Sequence, residues 1–334
     1  MAKATRTSHW IGIDLGGTKM LAVLYDGSLK PIARIRKRTK GHEGAEAGVG
    51  RMVAMIEALL GEVNVPASKL GGIGIGCPGP LDLDRGIVLE MPNLGWKNVR
   101  IDKAINRALG CDAVLVNDVD AGVFAEYRFG AAKGARCVLG VFPGTGIGGG
   151  AVYRGEIIRG TRGSCMEIGH IPVMQDGPLC GCGRRGCLEA VTGRLAISAM
   201  AAAAAYRGDA PYILARAGTD LREIRSGVLA DAIREGDTTV ELIVRNAART
   251  IGRTIAGVIN LLAPDIILLG GGLVEDMPDL FVQEVEAAAR ERVMPSFSDT
   301  FDVVAAKLAG DATVLGAAAW VQRVLSGKSE QAER

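Results

Sequence analysis

The sequence predicts an α/β protein made of two domains. Short apolar runs alternate along the chain with stretches of helical apolar periodicity, as strands followed by covering helices do. Hydrophobic residues make up 48% of the chain but aromatic residues only 4%, so Ala, Val, Ile, Leu and Gly dominate, as in buried strands. A chain of 334 residues is longer than one core of usual size can serve, and two domains are therefore expected.

A strand–turn–strand pattern occurs twice and indicates an internal duplication. Residues 9–26 read HWIGIDLGGTKMLAVLYD, which is an apolar strand, a Gly-rich turn and a second apolar strand. Residues 137–155 read CVLGVFPGTGIGGGAVYRG, the same pattern 128 residues later, with Gly144 in the place of Gly16. We expect one such hairpin to open each half of the chain and the two turns to face one cleft.

The remaining elements follow in order from the apolar periodicity. Buried strands are predicted at 71–76, 113–116 and 266–269, and helices at 118–128, 240–262 and 312–324. Pro264 ends the long helix. Segment 199–236 matches no motif and is predicted to be a helical insertion. Because strands alternate with helices, we expect mostly parallel sheets with helical cover.

Charge and hydropathy exclude several classes of function. The net charge of +2 gives no general case for a nucleic-acid partner. The basic run RIRKRTK at 34–40 is interpreted as a solvated edge strand, because it is short and has no interleaved aromatic residues. The best candidate for a membrane span, 255–269, is broken by Asn260, Pro264 and Asp265. Since no signal-peptide core is present in the first residues, we expect a soluble cytoplasmic protein with no membrane partner.

Segment 167–189, EIGHIPVMQDGPLCGCGRRGCLE, predicts a structural zinc site. Three cysteines are spaced C-x-C-x4-C, and a histidine lies ten residues before the first of them. One imidazole and three thiolates are the ligand set of a closed tetrahedral Zn²⁺ site. A disulfide with a spare thiol is disfavoured, because the chain has an odd number of cysteines, seven, and because a reducing compartment is expected. The predicted ligands are His170, Cys180, Cys182 and Cys187.

Three Gly-rich turns follow apolar strands and predict a polyphosphate site. They are 16–18 (Gly-Gly-Thr), 144–146 (Gly-Thr-Gly) and 270–272 (Gly-Gly-Gly). Each turn offers backbone N–H groups to an anion, because no Cβ blocks its approach. The sequence contains neither a P-loop nor a G-x-G-x-x-G turn ahead of a helix, which disfavours P-loop and Rossmann sites.

Two polar positions at strand ends allow more than one interpretation. Asp14, just before the first turn, is favoured as a ligand that holds Mg²⁺ through water, although it also suits a cap of the turn. Lys19 contacts phosphate or lies on a strand face, with neither favoured. Asn117 and Asp118 lie where a buried strand passes into a helix, and either a helix N-cap or a general base fits this place.

Taken together, the motifs resemble those of the ROK family of sugar kinases, in a glucokinase-like form. The matching motifs cover about residues 9–320 in order: DLGGTK at 14–19, CPGP at 77–80, PNLGW at 92–96, VLVNDVDA at 114–121, GTGIGGG at 144–150, EIGH at 167–170, CGCGRRGCLE at 180–189 and LGGGL at 269–273. The resemblance implies the duplicated actin/hexokinase-like (ribonuclease H-like) fold, with two α/β domains flanking a cleft. We expect a small domain over 1–118, completed by the helix 312–326, and a large domain over 119–311 that carries the zinc loop.

The resemblance also implies a role for each matching residue. Asp118 is then the general base that takes the proton of a sugar hydroxyl as this hydroxyl attacks ATP. The sugar contacts are then Asn93, Asn117, Asp118, Glu167, His170 and Glu189. Contacts with Mg²⁺-ATP come from Asp14, Gly16, Gly17, Thr18, Lys19, Gly144, Thr145 and Gly146, with Gly271 and Gly272 near the adenosine.

The implied reaction is ATP-dependent phosphorylation of a hexose, with glucose as the preferred expectation. Fructose, mannose, allose and N-acetylmannosamine are alternative substrates, and inorganic polyphosphate is an alternative donor. The family also contains transcriptional repressors, which carry a helix-turn-helix domain ahead of the first motif. Only thirteen residues precede Asp14 here, so the kinase is favoured and no nucleic-acid partner is expected. A homodimer or higher homo-oligomer is the default expectation.

Overall fold

The structure, a computed structural model, describes residues 9–91, 93–161 and 163–332. We predicted that the first residues contain no signal peptide, and residues 1–8 lie outside the described residues. Pro92 of the PNLGW motif also lies outside them. The chain forms two compact units. One contains the chain up to Phe129, Ile157–Cys165 and the chain from Gly310 onward. The other contains Gly130–Glu156 and Met166–Ala309.

Over the described residues, the first unit contains a five-stranded sheet, a three-stranded sheet, a two-stranded pair and four α-helices. Up to Phe129 its elements are β1 His9–Leu15, β2 Lys19–Asp26, β3 Pro31–Arg38, α1 Ala45–Glu62, β4 Leu70–Cys77, β5 Leu81–Asp82, β6 Ile87–Met91, β7 Trp96–Val99, α2 Ile101–Leu109, β8 Ala113–Asn117 and α3 Asp118–Phe129.

The second unit contains the other large sheet and most of the remaining helices. Along the chain the elements after α3 are β9 Cys137–Pro143, β10 Ile147–Tyr153, β11 Glu156–Ile157, β12 Arg159–Gly160, β13 Gly163–Ser164, α4 Leu188–Thr192, α5 Arg194–Arg207, α6 Pro211–Ala217, α7 Ser226–Arg234, α8 Thr238–Leu262, β14 Ile266–Leu269, α9 Gly272–Asp276, α10 Pro278–Arg290, β15 Asp302–Ala305 and α11 Ala312–Ala332. The short β12–β13 pair and α11 belong to the first unit.

The two large sheets have the same strand topology, which confirms the predicted duplication. The order is β3-β2-β1-β4-β8 in the first and β11-β10-β9-β14-β15 in the second. In each sheet an antiparallel hairpin is followed by two strands parallel to its first strand. The sheets are therefore mixed rather than mostly parallel, because a strand joined to its neighbour by a tight turn must run antiparallel to it. The basic strand β3 lies at the sheet edge, as predicted.

Glycines let the C-terminal helix α11 lie directly on the first sheet. A Cβ on Gly12 or Gly74 would come within 1.9 Å of the backbone oxygens of Val314 and Ala317. On the other side of α11, a Cβ on Gly316 would be 1.8 Å from the oxygen of Ala121 in α3. This contact places α3 in the first unit together with α11, whereas the expected division assigned 119–311, and therefore most of α3, to the large domain.

The segment 199–236 is helical, as predicted, and forms most of α5, all of α6 and α7. The stretch Leu188–Arg207 is long and apolar enough to cross a membrane by composition alone. It comprises two helices of the second unit, α4 and α5, and half of it is buried there, as is usual for core helices.

Candidate active site

The turn of the first hairpin is held by a buried threonine. The Gly16 amide donates to the Lys19 oxygen at 3.1 Å, which closes the turn. The Thr39 hydroxyl donates to the Gly16 oxygen at 2.6 Å, and its amide donates to the Thr18 oxygen at 2.9 Å. Thr39 is fully buried, whereas Gly17 and Thr18 are exposed. Sequence reasoning missed Thr39, although it is the one neutral polar residue in the basic run at 34–40.

Asp14 lies at the end of β1, just before this turn, and is half-buried. Burial, reinforced by the negative charge of Asp118, raises the pKa of Asp14 to about 6, and the positive charge of Arg36 opposes this rise. Asp14 pairs with Leu21, which in turn pairs with Arg36, so both charged residues lie on one face of the sheet. The structure thus brings Asp14 and Asp118 close enough to influence each other's charge.

Asn117 and Asp118 form the junction between β8 and α3. The Asn117 Oδ1 accepts hydrogen bonds from the amides of Val119 at 2.9 Å and Asp120 at 3.2 Å. Asn117 is therefore the N-cap, the simpler of the two interpretations for that residue. The Asp118 Oδ1 accepts from the Val119 amide at 2.9 Å, so this half-buried carboxylate lies at the positive end of the helix dipole.

Asn93, another predicted sugar contact, lies at the same end of the first sheet as Asn117. A Cβ on Gly17 would come within 3.3 Å of the Asn93 Cβ, so Asn93 lies beside the phosphate turn. A Cβ on Gly79 would be 3.9 Å from the Asn117 Nδ2. The first unit therefore gathers the first turn, Asp14, Asn93, Asn117 and Asp118 at the carboxyl ends of β1, β4 and β8.

In the second unit, the turn of the second hairpin is fixed from outside by α4 and α5. The Glu189 Oε2 accepts a hydrogen bond from the Ile147 amide at 3.0 Å. A Cβ on Gly146 would lie 2.1 Å from that oxygen, so this position leaves room only for glycine while Glu189 stays in place. The Arg194 amide donates to the Gly144 oxygen at 2.9 Å, and its guanidinium Nη2 donates to the Thr145 Oγ1 at 3.0 Å. Sequence reasoning gave no role to Arg194.

The four predicted metal ligands come together in the loop that precedes α4. Their ligand atoms, from His170, Cys180, Cys182 and Cys187, all lie within 4.8 Å of one another. The Cys180 Sγ is 3.6 Å from the His170 Nδ1, and the Cys182 and Cys187 sulfurs are 3.7 Å apart. A tetrahedral site with metal–ligand bonds of about 2.0 to 2.3 Å requires edges of about 3.5 to 3.8 Å, so the cluster fits zinc. A disulfide, with sulfurs about 2.05 Å apart, does not fit these distances.

The loop backbone and burial shift the pKa values of two cluster thiols in opposite directions. The Arg184 backbone lowers the pKa of the exposed Cys182 thiol, whereas burial raises that of Cys180 to about 12. The Cys180 Sγ lies 3.7 Å from the Glu189 Oε1, so Glu189 lies between the metal loop and the second turn. The backbone oxygen of the exposed Glu167 accepts a hydrogen bond from the His170 amide at 2.9 Å.

The third Gly-rich turn lies against the second hairpin. Gly271 has φ +82°, and a Cβ on it would be 2.8 Å from the Pro143 oxygen, so the turn and the end of β9 touch at the backbone. A Cβ on Gly272 would be 3.4 Å from the Ser226 Oγ at the start of α7. The unassigned segment 199–236 therefore reaches the candidate nucleotide turn through Ser226, which its sequence gave no reason to single out.

The sequence of this chain is similar to the ROK family and to characterised proteins along most of its length. A family model described as ROK family matches residues 10–324. A glucokinase from Thermotoga maritima is 33% identical over 318 residues, which are 95% of this chain and 98% of that protein. The DNA-binding transcriptional repressor Mlc from Escherichia coli is 27% identical over 315 residues, 94% of this chain and 76% of the repressor.

A solved structure is also similar in fold. It is that of a ROK family glucokinase from Streptomyces griseus in complex with glucose and AMPPNP. It is 29% identical in sequence, with a TM-score of 0.79, and the match covers 94% of this chain and 99% of that chain. By the family match over most of its length, this chain belongs to the ROK family.

Proposed function

We propose that this protein is a sugar kinase that transfers the γ-phosphoryl group of ATP to a hexose, with glucose 6-phosphate as the product from glucose. The observation that carries the proposal is the placement of the Asp118 carboxylate beside Asp14, at a helix N-terminus and at the end of the sheet that bears the first Gly-rich turn. Similarity to the glucokinases named above supports the choice of substrate and donor.

Asp118 acts as the general base. A hydroxyl oxygen of the sugar attacks the γ-phosphorus, the bond to the β–γ bridging oxygen breaks, and the hydroxyl proton passes to the Asp118 carboxylate. Phosphoryl transfer depends on positioning and on neutralising charge more than on covalent chemistry by the protein. Asn117 supports this step by fixing the first turn of α3, through which the Asp118 backbone is held.

The donor is held by the Gly-rich turns and one carboxylate. In the first unit, Asp14 would hold Mg²⁺ through the water ligands of the ion, while Gly16, Gly17, Thr18 and Lys19 would meet the phosphates. In the second unit, the phosphate contacts come from the turn 144–146, with Thr145 as the hydroxyl donor. Gly271 and Gly272 lie near the adenosine. Mg²⁺ supplies charge neutralisation on the phosphates when bound.

The sugar hydroxyls are held by Asn93, Asn117, Glu167, His170 and Glu189. The His170 Nδ1 belongs to the metal cluster, which leaves its Nε2 to hydrogen-bond a hydroxyl. The hydrogen bond from the Ile147 amide to its Oε2 fixes Glu189, whose carboxylate is the proposed acceptor for a sugar hydroxyl. The four ligands of the metal cluster would hold zinc, which would orient the imidazole and close the loop without taking part in the phosphoryl transfer.

A coupled kinase assay across a panel of hexoses, with ATP and with polyphosphate as donors, tests the proposal. We expect turnover with ATP and the highest kcat/KM for glucose. In Asp118→Asn we expect glucose binding to persist while kcat falls about 10²- to 10⁴-fold, because a general base contributes that much. Asp112→Asn is the control and should retain full activity, because this residue lies on the preceding loop and its side chain accepts a hydrogen bond from the exposed Asn106.

Two results would contradict the proposal. A near-normal kcat in Asp118→Asn would remove this residue as the base. Sugar binding without any turnover would instead favour a sugar-sensing role, as carried by the repressors to which this chain is also similar.

A further inference from the structure

Arg194 occupies the first position of α5, directly after the short helix that leaves the metal loop. It makes two hydrogen bonds to the second Gly-rich turn, one from its amide to the Gly144 oxygen and one from its guanidinium to the Thr145 hydroxyl. Among the residues that the structure describes, no carboxylate forms an ion pair with Arg194. Its positive charge is thus available at a turn where an anion is proposed to bind.

The helix junction at Gly193, just before Arg194, packs directly against the second Gly-rich turn. A Cβ on Gly193 would be 2.7 Å from the Glu189 oxygen and 3.2 Å from the Thr145 oxygen, so the helix junction and the turn touch at the backbone. The hydrogen bond from the Ile147 amide to Glu189 adds a second attachment only a few residues from Arg194. Arg194 is therefore held by its backbone as well as by the hydrogen bond of its guanidinium.

The hydrogen bond from Arg194 determines what the Thr145 hydroxyl can do. The guanidinium has only donors, so the Thr145 oxygen must accept from it. The hydroxyl hydrogen is then left to donate elsewhere. A phosphate oxygen at this turn would receive that hydrogen and would also lie near the charge of the guanidinium, which strengthens the hydrogen bond.

We propose that Arg194 is a positioning residue for the phosphates of the bound nucleotide, and that it acts through the Thr145 hydroxyl. This inference rests on the proposed function in one respect, namely that a nucleoside triphosphate binds at the turn 144–146. It assigns to α5 a part in donor binding that none of the motifs in the sequence indicates.

The test combines direct nucleotide binding with steady-state kinetics on the full chain. Calorimetry with ATP, ADP and AMP, in the presence of Mg²⁺, is compared for the wild type, Arg194→Met, Thr145→Val and the double variant. We expect Arg194→Met to weaken ATP binding about tenfold, as for a lost hydrogen bond from a charged donor. AMP binding and the KM for the sugar should stay within about twofold, because the contact concerns the phosphates.

The double variant distinguishes positioning from a separate contact. If Arg194 acts through Thr145, the double variant should bind ATP no more weakly than Thr145→Val alone. Arg194→Lys, which keeps the charge and a donor, should recover part of the affinity. Arg207→Met removes the arginine at the other end of the same helix, which pairs with the exposed Asp209, and should bind like the wild type.

Each outcome decides the inference separately from the proposed function. Unchanged ATP affinity in Arg194→Met, equal losses for ATP and AMP, or additive losses in the double variant would overturn it. If Arg194→Met failed to fold, the same cycle with Arg194→Lys, Thr145→Val and their combination would still show whether the two residues are coupled. If no hexose is phosphorylated but Arg194→Met still weakens ATP binding, the inference stands and the proposed function fails.

Discussion

In the first hairpin, the residue two positions before the first glycine of the turn is Asp14, and in the second hairpin the equivalent residue is Phe142. After the turn the equivalent pair is Lys19 and Ile147. The Phe142 ring packs against Gly270, where a Cβ would come within 2.4 Å of it. The duplication has therefore kept the backbone of the hairpin while both charged side chains are confined to the first copy.

The two turns also differ in how they are held. The first is fixed by Thr39, a buried residue that follows the neighbouring strand β3. The second is fixed by Glu189 and Arg194, from the two helices that follow the metal loop. We interpret the first copy as the source of charge for the donor site, and the second as a turn whose position depends on the metal loop.

The largest expected effect on activity comes from removing the negative charge of Asp14, in the first hairpin. In Asp14→Asn we expect kcat/KM for ATP to fall about a thousandfold, or about 4 kcal/mol, because the hydrated Mg²⁺ loses its carboxylate. Phe142→Leu, at the equivalent position, should stay within about threefold because it keeps the apolar packing. Comparable losses of kcat/KM in the two variants would contradict the interpretation that only the first hairpin supplies charge to the donor site.

Metal removal is expected to affect the second turn and not the first. At free zinc about a hundredfold above its Kd, binding stabilises the folded state by about 2.7 kcal/mol, and Cys182→Ser or chelation should remove this. Hydrogen exchange should then show loss of protection at the Ile147 amide, which donates to Glu189, but not at the Gly16 amide. A preparation with full activity and no metal by elemental analysis would contradict the zinc assignment.

The raised pKa of Asp14 gives a pH dependence that the second copy lacks. Burial raises this pKa from 3.8 to about 6, so the folded state binds the proton more tightly than the unfolded state does. The ionised carboxylate therefore destabilises the fold at neutral pH, and this cost disappears as the pH falls through 6 towards 4. Asp14→Asn should raise the free energy of unfolding at pH 7.5 by about 2 kcal/mol and leave it unchanged at pH 4. Denaturation at the two pH values checks this, and an equal difference at both would refute it.

The smallest expected effect is a difference in stability between alanine substitutions at Gly16 and at Gly144, the first glycines of the two turns. A Cβ on Gly16 would be 2.9 Å from the Lys19 oxygen, a backbone atom of the same tight turn, whereas a Cβ on Gly144 meets nothing closer than 3.9 Å. Gly16→Ala should therefore cost about 1 kcal/mol of stability, and Gly144→Ala should be neutral or slightly stabilising. Thermal unfolding of both variants measures the difference, and equal costs would indicate that the turns are under the same constraint.

Much of the fold and part of the candidate site follow from local sequence pattern. The hairpins, the junction at Asn117 and the cysteine cluster are predictable because each depends on residues close together in sequence. Thr39 and Arg194 are not, because their hydrogen-bond partners lie in distant parts of the chain. The assignment of α3 to the first unit depends on Gly316, almost two hundred residues away, for the same reason.

The position of α11 on the glycines of the first sheet has a consequence for biosynthesis. The chain of the second unit is complete by Ala309, before α11 begins at Ala312, so this unit has all its residues before the first one does. The first sheet begins at His9, and one of its faces is covered by α1. The face that carries Gly12 and Gly74 is covered only when Val314 and Ala317 have left the ribosome. At about 5 to 20 residues per second, the strands that carry Asp14 wait about 15 to 60 seconds for their helix. The nascent chain therefore carries one uncovered face of this sheet until α11 has been made, and α11 completes the packing of the first unit.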